Sequence, residues 1–267
     1  ASELEHYPHD LIDLVEPEYP FDVGQYLFHA KRSIQCAWQR NEVPCLVGGT
    51  ILYLKSLLDG LDPLPKADPD IRKRIREKAE QQGWPAIHDW LKGLDPGAAE
   101  IIHPNHSSRL ERALEVRLKT GESIRSFWTE GPSELMIGDQ RADLDVLALM
   151  PADREKLKER LNRRFDSMLD RGFVDEVQSL RKRSGLTKAC PSMRSVGYRQ
   201  IWQYLDREIS ETEMREQAQA ATRQLAKRQL TWLRSWRADT NTFIKVSDSL
   251  PVTEGKIWLS KVFDRVL

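Results

Sequence analysis

CLVGGTILYLKSLL, residues 45–58, runs from a short apolar segment through Gly48-Gly49-Thr50 into a stretch of helical spacing. An apolar run closed by Gly-Gly and followed at once by a helix (Ile51–Leu58) reads as a parallel strand, Cys45–Thr50, whose C-terminal end opens a site. Ligands of open α/β sheets bind at that edge. Glycine pairs also end ordinary buried strands, so the segment predicts an architecture before it predicts a ligand.

Upstream, Asp22 heads a run with apolar residues at helical spacing (Val23, Tyr26, Leu27, Ala30, Ile34, Ala37), which predicts a helix over 22–40 with Asp22 as its N-cap. Before it the chain is acidic and broken by Pro8, Pro17 and Pro20, giving loop around one short strand, Leu11–Val15. Downstream, Leu61-Asp62-Pro63-Leu64-Pro65 is a stiff connection, and helices are predicted at 69–82, 84–93, 96–102 and 108–120, with Asp95-Pro96 and Ser107/Ser108 as start signals. Strands return at Leu144–Met150 and Thr242–Val246, and long helices at 153–171, 173–184 and 211–236 close the chain. The predicted fold is therefore α/β and helix-rich. A parallel-sheet core over 1–62 and 141–267 is interrupted by an all-helical subdomain over 63–140.

Composition sets the class of protein. With 40% hydrophobic and 31% charged residues in 267, the chain reads as globular, and no apolar run is long enough to span a membrane. Cys36, Cys45 and Cys190 lie far apart without metal-ligand spacing, which predicts no protein-held metal and fits a reducing cytoplasm. Net charge is zero, yet residues 1–30 hold seven Asp/Glu and no Lys/Arg, while 151–237 hold 20 Lys/Arg against 12 Asp/Glu. That basic half makes a polyanionic partner plausible.

Three places could carry chemistry. In TRQLAKRQLTWLRSWR (222–237), Leu225, Trp232 and Trp236 share one helical face with Ala226, Leu230 and Leu233 beside them, and Arg223, Lys227 and Arg234 share another, flanked by Arg228 and Arg237. Guanidinium forks match phosphate oxygens, although such a face can equally be solvated or paired with Glu211, Glu213 and Glu216. Arg160, Arg163 and Arg164 follow the strand at 144–150 and could meet a pyrophosphate at the sheet edge, or pair with Glu155 and Glu159. Arg194-Ser195-Val196-Gly197-Tyr198-Arg199 sets two arginines and an aromatic around a glycine, either to clasp a base or phosphate or as a plain turn between helices. His9, His103 and His106 read as ordinary loop histidines.

Six blocks then stand in register: CLVGGTILYLKSLLDGL (45–61), the LPKADPDIRKRI that follows, HPNHSSRLERALEV (103–116), ERLNRRFDSMLDRGFVDEV (159–177), PSMRSVGYRQIWQYL (191–205) and ATRQLAKRQLTWLRSW (221–236). Together they resemble bacterial tRNA dimethylallyltransferases. The resemblance implies a P-loop-type α/β core with a helical insertion that grips the tRNA anticodon stem-loop. It also implies transfer of a dimethylallyl group from dimethylallyl diphosphate to N6 of adenosine 37, assisted by substrate-bound Mg²⁺, in a monomeric enzyme. By the same resemblance Arg164 binds the diphosphate, and tRNA is met by Thr50, Arg72, Ser108, Arg109, Leu110, Glu111, Arg112, Arg194, Ser195, Val196, Gly197, Tyr198 and Arg199. The segment Thr222, Arg223, Gln224, Leu225, Ala226, Lys227, Arg228 and Gln229 joins them as a core contact to tRNA.

The sequence departs from the family pattern at its start, where the P-loop GxTxxGKT and the aspartate that takes the N6 proton are expected and do not occur. The catalytic general base is therefore expected in an absent N-terminal segment. Two alternatives stay open: a free-adenylate isopentenyltransferase, for which the insertion would have little use, and a non-catalytic RNA-binding protein.

Overall fold

The computed structural model describes residues 9–129, 135–142, 146–235 and 242–246. The chain divides into two compact units, 1–55 together with 134–267, and 56–133.

Helix α1 (Val23–Gln39) begins where Asp22 predicts it. Its side chain accepts from the Gln25 N–H at 2.9 Å, and Gln25 Oε1 accepts from the Asp22 N–H at 2.9 Å, so two orphan donors are satisfied reciprocally. Ala30, Ile34 and Ala37, at helical spacing, are its buried face. Leu11 and Asp13 take left-handed backbone (φ 64° and 53°), which no strand accommodates, so the expected strand Leu11–Val15 is a bend instead. The expected strand Cys45–Thr50 does not form either. No described residue pairs with it, and Val47 is 83% exposed, so neither of the things that define a buried strand, ladder partners and a covering layer, is present. Helix α2 (Ile51–Asp59) follows it as expected.

The described residues of the 56–133 unit are helical apart from their connections. In α3 (Pro69–Leu94), Asp68 caps the first turn and Pro69 occupies the first helical position. Gly83 at φ 81° breaks this run into the two helices expected over 69–82 and 84–93. Asp95 caps α4 (Pro96–Ile101) through Ala98 N at 3.1 Å. Helix α5 (Ser107–Thr120) has His106 rather than a serine at its N-cap and ends at Gly121, φ 78°. Ile75, Ile87, Leu91, Leu110, Ala113, Leu114 and Val116 fill its core.

Back in the larger unit, β1 (Leu135–Ile137) and β2 (Gln140–Ala142) form an antiparallel hairpin about Gly138 that the sequence reading did not anticipate. Next comes β3 (Val146–Met150), with Leu144 outside the described residues. Asp153 caps α6 (Arg154–Asp170), and α7 (Phe173–Leu180) stops four residues short of the expected 184, in turns leading to Gly185. Helix α8 (Tyr198–Leu205) and α9 (Glu211–Ser235) lead to β4 (Thr242–Val246), which pairs in parallel with β3 from Val146↔Thr242 to Met150↔Val246. Helices α6 to α9 pack around Phe165, Phe173, Val177, Met193, Ile201, Trp202, Met214 and Ala218. Within α9 the buried positions are Met214 and Ala218. Leu225 and Trp232, expected on an apolar stripe, are 41% and 39% exposed, and Trp236 lies outside the described residues.

Candidate nucleic-acid interface

Helix α9 is positioned from two sides. Asp166 on α6 accepts from Arg215 Nη1 at 2.8 Å and Gln219 Nε2 at 3.1 Å, and Asn162, one turn earlier, accepts from Arg223 Nη1 at 2.8 Å. Further along, Gln229 Nε2 donates to the Gly49 carbonyl at 2.8 Å. Helix α9 is thereby joined both to the helix that carries Arg164 and to the Gly48–Thr50 loop. Thr50 is exposed, and its carbonyl accepts from Tyr53 N at 2.9 Å to start α2.

The cations on these elements sort into two groups. Arg223, expected on the open basic face, is half-buried and committed to Asn162. Lys227 and Arg228 are exposed, and their side chains make no hydrogen bond or ion pair with another described residue. Glu211 pairs with Arg215 (3.6 Å), and Glu213 accepts from the Ser210 N–H and hydroxyl, so these acids do not quench Lys227 and Arg228, about four turns on. On α6, Glu155 pairs with Lys158, while Arg163 and Arg164 are exposed and without a described partner. Of the remaining α9 positions, Thr222 donates back to the Ala218 carbonyl (2.8 Å), Gln224 and Leu225 are exposed, and Ala226 is half-buried.

Arg194 ends a 3₁₀ turn, Ser192–Arg194, and Arg199 lies in the first turn of α8, both exposed and without a described partner. Gly197 between them sits at φ 93°, and a Cβ there would stand 2.7 Å from Phe173 Cε1, so the turn requires glycine. Ser195 is exposed and Val196 half-buried. Tyr198 does not stand open for a base. Its ring packs edge-on against Phe173 (4.9 Å, 86°) and its hydroxyl donates to Glu176 at 2.5 Å; burial first, and then that bond, push its pKa up to about 12.

In the 56–133 unit, several residues assigned to RNA by resemblance are engaged within the protein. Arg72 grips the fully buried carboxylate of Glu115 with Nε (2.8 Å) and Nη2 (3.0 Å), Asp68 N donates to it at 2.6 Å, and Arg112 donates to it as well as to the Pro65 carbonyl (2.6 Å). Leu110 is wholly buried, and Glu111 pairs with Arg76 at 2.8 Å. Ser108 and Arg109 remain exposed, and Arg109 has no described partner. Sequence reasoning missed Glu115 and Asn162. An acid inside the apolar run Ala113–Val116 was the available signal for the first, whereas an asparagine at 162 carried none. Among the described residues no three His, Cys, Asp or Glu gather to hold a metal, and no helix is long and apolar enough to cross a membrane.

A family model described as IPP transferase matches residues 1–236. The chain is 45% identical over 242 residues to tRNA dimethylallyltransferase 2 of Hahella chejuensis, covering 87% of this chain and 73% of that protein. It is 46% identical over 236 residues to tRNA dimethylallyltransferase of Thiobacillus denitrificans, covering 88% and 74%. The crystal structure of the full-length tRNA isopentenylpyrophosphate transferase from Bacillus halodurans superposes with a TM-score of 0.65 at 30% identity, covering 100% of this chain and 80% of that one. A eukaryotic dimethylallyltransferase acting on tRNA shares the fold, with a TM-score of 0.72 at 22% identity over 99% of this chain and 67% of that one.

Proposed function

The chain belongs to the IPP transferase family, and from that membership we infer that it is a tRNA dimethylallyltransferase, with dimethylallyl diphosphate as its co-substrate. Its target in this reading is N6 of adenosine 37, beside the anticodon. The reaction breaks the C1–O bond of the donor and forms a C1–N6 bond, with diphosphate leaving and one N6 proton lost. The β3–β4 pair is read as part of a P-loop-type core, supported by the fold shared with solved tRNA isopentenyltransferases.

The observation that supports the site most directly is the sorting of the cations. Arg164, Arg194, Arg199, Lys227 and Arg228 keep their donors open, although acids lie within about two turns of Arg164 and Arg199. An exposed guanidinium without a protein partner suits an incoming anion, and charge-assisted bonds to phosphate oxygens are the strong class of hydrogen bond. Arg164 is assigned to the diphosphate, whose growing charge it stabilises as the C1–O bond opens. Lys227, Arg228, Arg194 and Arg199 are assigned to the tRNA backbone, with Thr50 on the adjoining loop. In the 56–133 unit, Ser108 and Arg109 take the anticodon loop. Arg72 and Arg112 serve that surface through Glu115, by holding α5 in place. Magnesium, in this reading, accompanies the diphosphate oxygens as part of the substrate.

The test is dimethylallyl transfer by the full-length protein to tRNA carrying adenosine 37 and to the same tRNA carrying guanosine there. Label on the first alone is expected. Label on both would reject the target. Label on neither, with RNA binding intact, would favour a non-catalytic RNA-binding protein.

A further inference from the structure

Gln229 was grouped with the RNA contacts of α9, yet its amide is turned inward onto Gly49. The Nε2 donor lies 2.8 Å from the Gly49 carbonyl, and the Gln229 side chain is half-buried while its neighbours Lys227 and Arg228 are exposed. The approach is close enough that a Cβ on Gly49 would stand 2.7 Å from Nε2. The next residue, Thr50, supplies the carbonyl that starts α2, accepting from Tyr53 N at 2.9 Å, and the Tyr53 hydroxyl donates to the Phe21 carbonyl at 3.2 Å while its ring stacks on Tyr26 at 4.6 Å. Behind the loop, therefore, α2 is fixed to α1. In front of it the described contact to α9 is Gln229.

We propose that Gln229 is a positioning residue: its amide holds the Gly48–Thr50 loop against α9, so that Thr50 and the open cations Lys227 and Arg228 meet the polynucleotide as one preformed surface. This rests on the tRNA-binding reading above. No left-handed backbone demands glycine at 49, and a Cβ there would meet only the flexible end of Gln229, which would have to give way. A loop released from this bond must be ordered at the moment RNA binds, which weakens affinity without removing any phosphate contact.

The experiment is a double-mutant cycle on Gly49→Ala and Gln229→Ala, read by affinity for an anticodon stem-loop RNA, by the dependence of that affinity on salt, and by amide exchange at Tyr53 and Leu54. Gly49→Ala displaces the amide from one side and Gln229→Ala removes it from the other. Each single variant and the double are expected to lose the same roughly three- to tenfold in affinity, the size of one neutral hydrogen bond. The salt dependence stays that of the wild type, exchange at Tyr53 and Leu54 quickens in all three, and Gln229→Lys, which restores a donor, recovers part of the affinity. Additive losses would overturn the proposal, because they place Gln229 on RNA directly and Gly49 elsewhere. Unchanged exchange, or quickened exchange with unchanged affinity, would overturn it too. Failure of the wild type to bind RNA at low salt would reject the tRNA reading and with it the binding role, while the exchange data still report whether the bond exists.

Discussion

Glu115 shows what a single residue can demand of its surroundings. Burial pushes its carboxyl pKa up, but hydrogen bonds from Arg72, the Asp68 N–H and Arg112 outweigh that and hold it below the ordinary carboxylate range. Breaking a buried pair from one side leaves an uncompensated charge. Arg72→Met is expected to destabilise the 56–133 unit by roughly 1–3 kcal/mol in denaturant unfolding, below the full cost of a lost buried partner because Arg112 and Asp68 remain. Since the folded pKa is lowered, the pair's contribution is complete above the unfolded value of about 4.3 and is lost as pH falls through the folded one. The stability advantage of wild type over Glu115→Gln should therefore be flat near neutrality and shrink in acid; an advantage that grows in acid would contradict the assignment. Gly197 makes an equally local demand. Gly197→Ala combines a left-handed φ with an overlap on Phe173, and a loss of about 2–4 kcal/mol is expected. A thermal midpoint equal to wild type would mean that the turn relaxes freely.

At the scale of the element, α9 carries two kinds of cation that its sequence does not distinguish. Lys227→Ala or Arg228→Ala should weaken RNA binding and lower the slope of log affinity against log salt by about one. Arg223→Ala should change that slope less and loosen α9 from α6, because its Nη1 is held by Asn162. Equal slopes for all three variants would erase the distinction. Helices were legible because their signals are local: Asp22 and Asp95 cap where the sequence analysis placed a start, and in the structure Asp68, Asp153 and Gly121 bound α3, α6 and α5 in the same local way. The run at 45–50 was misread because being a strand depends on a partner that periodicity cannot supply. The β1–β2 hairpin was missed because three-residue strands are too short to show alternation. For the site, the arginines were legible as candidates. Whether each was free or already bonded depended on residues as distant as Asn162 from Arg223 and Glu115 from Arg72, which meet only in the fold.

For the molecule as a whole, catalysis and RNA affinity should separate. Arg164→Ala is expected to cut dimethylallyl transfer at least about tenfold, the scale of a lost charge-assisted contact to a leaving group, with RNA affinity nearly unchanged. Loss of RNA binding alone, with transfer kinetics intact at saturating RNA, would reassign it. The parallel pairing of β3 with β4 has a separate consequence, for the time course of folding. Val146 meets Thr242 only after helices α6 to α9 have been laid between them, whereas α3, α4 and α5 are sequence neighbours, and α3 touches both of the others. Contacts between distant residues carry a loop-closure cost before they stabilise anything, and local helical contacts form faster. On a growing chain the 56–133 unit can therefore reach its final packing while the strand that completes the β3–β4 pair is still unsynthesised, and that pair is among the last structure to form.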